Sequence, residues 1–210
     1  MSLLNVKRRA EGLKYEDETF KGLDLRSMKG FGMGFTACTF DGCQLDLSDL
    51  RSSKFTDCTF RNCTLRLVNF AASFFEETKF FDCDMEQASF LGCQFRDCTF
   101  DGCRMAYGDT MFLDATAKGQ MNFSACNLHG SNLDFREVEA GTMHFADCNF
   151  WGARVSFGCA FWNSRFDHRA IQQFVALTAR TSGDDRLREY AGDQYAVVCR
   201  AMDGRSKKEG

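Results

Sequence analysis

From Phe20 to Met105 a large apolar residue falls on nearly every fifth position, as in Phe35, Phe40, Leu45, Leu50, Phe55 and Phe60, and Gly30 is the one break. A period of five is neither the 3.6 of a helix nor the 2 of a strand. Self-similarity at a fixed period marks a repeat architecture. Two residues before the apolar sites lies a second register of small residues, among them Cys38, Cys43, Ser48, Ser53, Cys58, Cys63, Val68, Ser73, Thr78 and Cys83. If both registers point inward and the other three positions face water, the chain turns a corner at every repeat. Four such units then close one square coil.

Written in twenties, the apolar sites sort into four files. Phe20, Phe40, Phe60, Phe80 and Phe100 form the first, and Leu25, Leu45, Leu65, Met85 and Met105 the second. Gly30, Leu50, Phe70 and Phe90 form the third, and Phe35, Phe55, Phe75 and Phe95 the fourth. The corner after the first file holds Gly42, Asn62, Asp82 and Gly102, the residue types that tolerate the positive φ of a type II turn. Turn chemistry, packing pattern and coil length therefore agree.

After Met105 the register shifts. The first file continues at Phe123, Phe145 and Phe166, steps that exceed the regular one by three, two and one in turn. Insertions are therefore expected near 107–120, 134–142 and 156–160. Residues 1–19 are polar with scattered apolar anchors and are expected to pack over the first coil as a lead-in. Residues 20–166 form the solenoid. Residues 167–204 carry two helical patterns, one through Ile171 and Phe174 and one through Leu187, Tyr190, Tyr195 and Val198, with Asp167 as N-cap of the first. This hairpin either caps the last coil or pairs with its copy in a homodimer. Residues 205–210 are a frayed tail.

On these files and corners the chain resembles the pentapeptide-repeat family over roughly Phe20 to Phe166. The resemblance implies an all-β solenoid, a right-handed quadrilateral β-helix, here of about seven coils with a C-terminal helical hairpin. It also implies dimerisation through the C-terminal end, seen in characterised members.

Composition narrows the chemistry. Proline is absent, as a stack that needs its backbone N–H groups requires. No apolar run approaches the length of about 18 residues that marks a membrane span, so none is expected. The first residues lack the apolar stretch of a secretory signal. Eleven of the 12 cysteines fall in the small register, where a thiol is a small buried hydrophobe. Disulfides and zinc are the competing readings. Parallel Cβ vectors in stacked strands give poor disulfide torsions, and the x₄ spacing already follows the repeat, so core packing in a reduced, cytoplasmic setting is expected. His129, His144 and His168 fall on surface positions, and no phosphate loop, dinucleotide fingerprint or HExxH zinc motif is present. A Phe-filled coil leaves no cavity. No catalytic, cofactor or metal site is expected.

Two functional classes remain. Several pentapeptide-repeat proteins bind type II topoisomerases and relieve quinolone or toxin action, so the resemblance suggests an acidic rod that mimics DNA and occupies the basic saddle of gyrase or topoisomerase IV. The candidate contacts are Asp41, Asp46, Asp49, Glu76, Glu77, Asp82, Asp84, Glu86, Asp109 and Asp114. Between Phe20 and Phe166 there are 14 basic and 18 acidic residues, a net charge of −4, with Arg51, Lys54, Arg61 and Arg66 interrupting the acids. The other class is a scaffold for an unrelated protein, contacted through loops 107–120 and 134–142 or the hairpin. Direct nucleic-acid binding is not expected without a basic patch.

Overall fold

The computed structural model describes residues 12–112, 114–135, 142–151, 153–157 and 165–167. Within them the chain winds as a parallel β-solenoid, each segment pairing with its equivalent one coil away. Phe20, Phe40, Phe60, Phe80 and Phe100 pair in register up face one. Phe35, Phe55, Phe75 and Phe95 do so up face four. Both faces are short strands, such as Thr39–Asp41 and Lys54–Thr56. Faces two and three narrow to single bridges in these coils, as at Gln44–Thr64 and Asp49–Asn69. One coil thus has four sides, and it closes where Phe60 comes to lie over Phe40.

The rings explain why the files are uniform. Along the axis Phe40 stacks on Phe60 with centroids 4.5 Å apart and planes at 3°, and Phe60 on Phe80 at 4.9 Å. Across the interior the contacts are edge-to-face, as for Phe70 and Phe75 at 5.3 Å and 79°. Both geometries suit the ring quadrupole, and the coil rise of about 4.8 Å sets the stacking distance.

The small register has a second property that its size hides. Its hydroxyls and thiols donate to the carbonyl of the apolar residue 23 positions earlier: Ser48 to Leu25 at 2.8 Å, Ser73 to Leu50 at 3.0 Å, Cys93 to Phe70 at 3.0 Å, Cys43 to Phe20 at 3.2 Å. Serine, threonine and cysteine interchange there because each is small and each donates. The ten cysteines from Cys38 to Cys148 are buried free thiols, while Cys159 and Cys199 lie outside the described residues. At Gly30, where the apolar series lapses, Met33 fills the gap. A Cβ on Gly30 would collide with the Met33 Sδ.

Positive φ occurs at the corner after face one, at Gly42, Asn62, Asp82 and Gly102, as their residue types predict, and also at the other three corners. The i→i+3 bonds of the turn appear after faces two and three, for example Ser48 N–H to Leu45 C=O at 3.0 Å and Cys93 N–H to Phe90 C=O at 3.0 Å.

The coil pattern reaches upstream of Phe20, into the segment expected to be a lead-in. Lys14–Glu16 pair with Gly34–Thr36, and Tyr15 stacks on Phe35 at 5.4 Å, because Tyr15 occupies the apolar position of face four. Downstream, the expected steps hold on face one: Phe100 pairs with Phe123, Phe123 with Phe145 and Phe145 with Phe166. Inside the first insertion Phe112 stacks on Phe90 at 4.9 Å and Ala117 pairs with Phe95, two core positions the fivefold count passes over. A bulge between Lys118 and Met121 supplies one of the extra residues. The expected hairpin over 167–204 and the tail lie outside the described residues, apart from Asp167.

Candidate functional site

Phenylalanines fill the centre of the described coils, so a site on these coils lies on the outside. Face two carries a ladder of paired charges. Arg104 reaches Asp84 at 2.9 Å and Glu86 at 3.0 Å, and Arg66 reaches Glu86 at 3.7 Å. Asp46 accepts from the Arg66 N–H at 2.9 Å and the Thr64 hydroxyl at 3.0 Å. Elsewhere Asp41 meets Lys21 at 3.5 Å on face one, and Glu76 meets Arg96 at 2.7 Å on face four. On face three Asp49 takes two bonds of 2.8 Å from the Arg51 guanidinium, which holds its carboxyl below the usual range.

The acids marked in the sequence are therefore not one patch. Only Asp46, Asp84 and Glu86 converge, on face two, and arginines answer them. Asp82 sits at the corner after face one and Asp114 at the corner after face three. Asp109 lies in the face-three strand Asp109–Met111. Ile171, Phe174, Leu187, Tyr190, Tyr195 and Val198 lie outside the described residues.

Glu77 belongs to a different group, one that column-writing of the corner positions would have revealed. The corner between faces four and one carries Asp17, Asp57, Glu77 and Asp97 on the same file, all exposed and all at φ between 50° and 54°. Ala37 is its one interruption. Among the described residues Asp17, Asp57 and Glu77 form no ion pair. Asp97 accepts the Gln120 N–H of the bulge at 3.0 Å. Like charges one coil apart repel, so this edge carries a cost that the fold does not require.

The diagonally opposite corner, between faces two and three, carries large exposed apolar residues among the polar Ser27 and Gln87. Leu47 and Leu67 are 60% and 48% exposed, and Tyr107 further along the same file is 60% exposed. Tyr107 meets the His129 ring edge-on at 5.0 Å, and Trp151 is exposed near by on face two. An open hollow of about 440 Å³ lies on face four over Gly32 and Gly34, between Lys14 and Lys54. Among the described residues no three His, Cys, Asp or Glu side chains are placed to hold a metal ion.

Residues 33–109 match the family model of the pentapeptide repeat region, over the coils whose registers are described above. These repeats belong to the pentapeptide-repeat family. No curated protein matches the chain in sequence. Similar solved structures of pentapeptide-repeat type include a trypsin-treated form of QnrB1, a plasmid-mediated fluoroquinolone resistance protein, at 14% identity and TM-score 0.39, covering 83% of this chain and 100% of that one. A pentapeptide repeat protein of the Arabidopsis thaliana thylakoid lumen is similar at 16% identity and TM-score 0.34, covering 63% and 70%. HetL, a pentapeptide repeat protein of the cyanobacterium Nostoc involved in heterocyst differentiation regulation, is similar at 10% identity and TM-score 0.28, covering 70% and 87%. No enzymatic family is indicated.

Proposed function

We propose that this pentapeptide-repeat protein is a non-catalytic, cytoplasmic rod that binds a protein partner, and that its acidic corner mimics DNA toward the basic saddle of a type II topoisomerase such as gyrase. The observation that carries this reading is the file of Asp17, Asp57, Glu77 and Asp97 on one edge, three of them without a cation among the described residues. On the successive rungs of Asp57, Glu77 and Asp97, carboxylates about 4.8 Å apart along a rigid edge present charge at a density comparable to one phosphate per roughly 3.4 Å of axis on a DNA strand. The rod also meets the partner without ordering cost, because its backbone is fixed coil to coil. Ten buried free thiols suit a reducing compartment.

The test is a gyrase supercoiling assay with and without a quinolone. Wild-type protein is expected to inhibit the enzyme or protect it from the drug, and Asp57→Lys with Glu77→Lys to lose the effect with the fold intact by circular dichroism. No effect of the wild type at concentrations far above a micromolar affinity would refute the topoisomerase reading. The second reading, a scaffold for an unrelated protein contacted through loops 107–120 and 134–142 or the C-terminal segment, is favoured by the exposed Tyr107 and Trp151 on the other side of the rod.

A further inference from the structure

The corner between faces two and three is doubly unfavourable for a lone rod. Leu47 and Leu67 stand at φ 61° and 57°, a left-handed conformation disfavoured for an L-residue with a Cβ. They also leave about half or more of their surface in water, at 60% and 48% exposure. Glycine or asparagine occupies corner positions on the neighbouring edge, as Gly42 and Asn62, so the fold offers cheaper residues for this geometry. Strained, exposed and apolar residues on one file are what a contact surface requires.

We propose that this corner is the interface of a symmetric, antiparallel dimer of the chain. The stripe runs Leu47, Leu67, Gln87, Tyr107, one residue per coil at about 4.8 Å spacing. A second copy has the same spacing and stays in step over its whole length, whereas a helix, with its pitch of about 5.4 Å, drifts. A two-fold axis perpendicular to the rods sets face two of each copy beside face two of the other. The flanking charges then choose where the axis lies. An axis through Leu67 would oppose Arg66 to its own copy, and one through Gln87 would oppose Glu86 to its own copy. An axis midway sets the Arg66–Glu86 pair, already formed within each copy at 3.7 Å, against the same pair of the second copy in reverse order, so that unlike charges face each other, and it opposes Leu67 to Gln87 and Leu47 to Tyr107. On the face-three side the middle rungs are the uncharged Asn69 and Ser89, which bridge to each other within each copy. The interface lies diagonally across from the acidic edge and leaves that edge free on both copies. It does not depend on what that edge binds.

The experiment is sedimentation velocity of the full chain from micromolar to hundreds of micromolar, with Leu67→Asn beside the wild type. The wild type is expected to dimerise. Leu67→Asn is expected to weaken association at least tenfold while unfolding at a higher urea concentration than the wild type at dilutions where both are monomers. For the register, Leu67→Cys and Gln87→Cys proteins are oxidised separately and mixed. Only the mixture is expected to give an intermolecular disulfide. A wild type that stays monomeric at every concentration, a dimer indifferent to Leu67→Asn, or equal cross-linking in the separate samples would overturn the proposal.

Discussion

At the scale of single residues, each position has one dominant determinant. For the phenylalanine files it is burial plus ring stacking. Phe60 has ring neighbours at 4.5 Å below and 4.9 Å above and is fully buried. Its replacement by alanine opens a void between two rings that the stacked backbone cannot close. Phe60→Ala is therefore expected to cost about 3–5 kcal/mol, measured by urea unfolding. For the small register the determinant is size together with a donor. Cys93→Ser is expected to leave stability within about 1 kcal/mol of the wild type, while Cys93→Ala loses the bond to the Phe70 carbonyl and about 1 kcal/mol more. Burial pushes the Cys58 and Cys93 thiols up to about 12. An unfolded thiol ionises near pH 8.5, so the neutral buried form adds stability that is complete below that pH and is lost as pH rises toward about 12. The urea midpoint should fall between pH 8 and pH 10, and fall less in the Cys58→Ser, Cys93→Ser double variant. An equal fall in both would assign the effect to other groups.

At the scale of elements, the sequence is most informative where the chain repeats without interruption. The four files, the inward small register and the positive-φ corner after face one are all legible because one physical demand recurs coil after coil. The lengthened steps of face one are legible for the same reason, since a phenylalanine marks each rung. Phe112 and Ala117 are not, because two extra residues precede Phe112 and an alanine in a large-residue file gives no apolar signal. The pairing of Asp84 and Glu86 with Arg104 is hidden as well, since it joins residues of successive coils whose side-chain directions no linear count supplies. The bulge at Lys118–Met121 is a local device whose logic appears only in three dimensions. Gly119 has φ 74°, and a Cβ there would collide with the Asp97 carboxylate that accepts the Gln120 N–H. Asp97→Ala should release the bulge, with faster amide exchange confined to residues 118–121 and a loss of about 1–2 kcal/mol. Uniform exchange across the last coils instead would mean that Asp97 holds the stack and not the bulge.

At the scale of the whole molecule, each strand of the described coils pairs with its equivalents in the coils before and after it, so stability is close to a sum of coil and interface terms. The backbone bonds that link coils are of two recurring kinds: an N–H to the carbonyl 21 positions earlier, as Thr59 to Cys38, Lys79 to Cys58 and Gln94 to Ser73, each at 2.9 Å, and an N–H to the carbonyl 19 positions later, as Leu45 to Thr64 at 2.8 Å. Any whole coil is then dispensable to its neighbours, provided the junction keeps the four files aligned. Deleting residues 54–73 joins Ser53 to Phe74, and Phe35 and Phe40 then meet Phe75 and Phe80 in the places of Phe55 and Phe60. Deleting only residues 64–73 keeps every apolar residue inward but turns all later files by two faces. Leucine would then lie over phenylalanine, and the wide strands of faces four and one would lie over the single bridges of faces two and three. The whole-coil deletion is expected to fold, with a lower unfolding midpoint and an unchanged strand signature in circular dichroism. The half-coil deletion, although it removes less, is expected to lose cooperative unfolding. If the two deletions were equally stable, the fivefold in–out pattern alone would suffice for folding, and the fourfold alignment of the files would not be what specifies this rod.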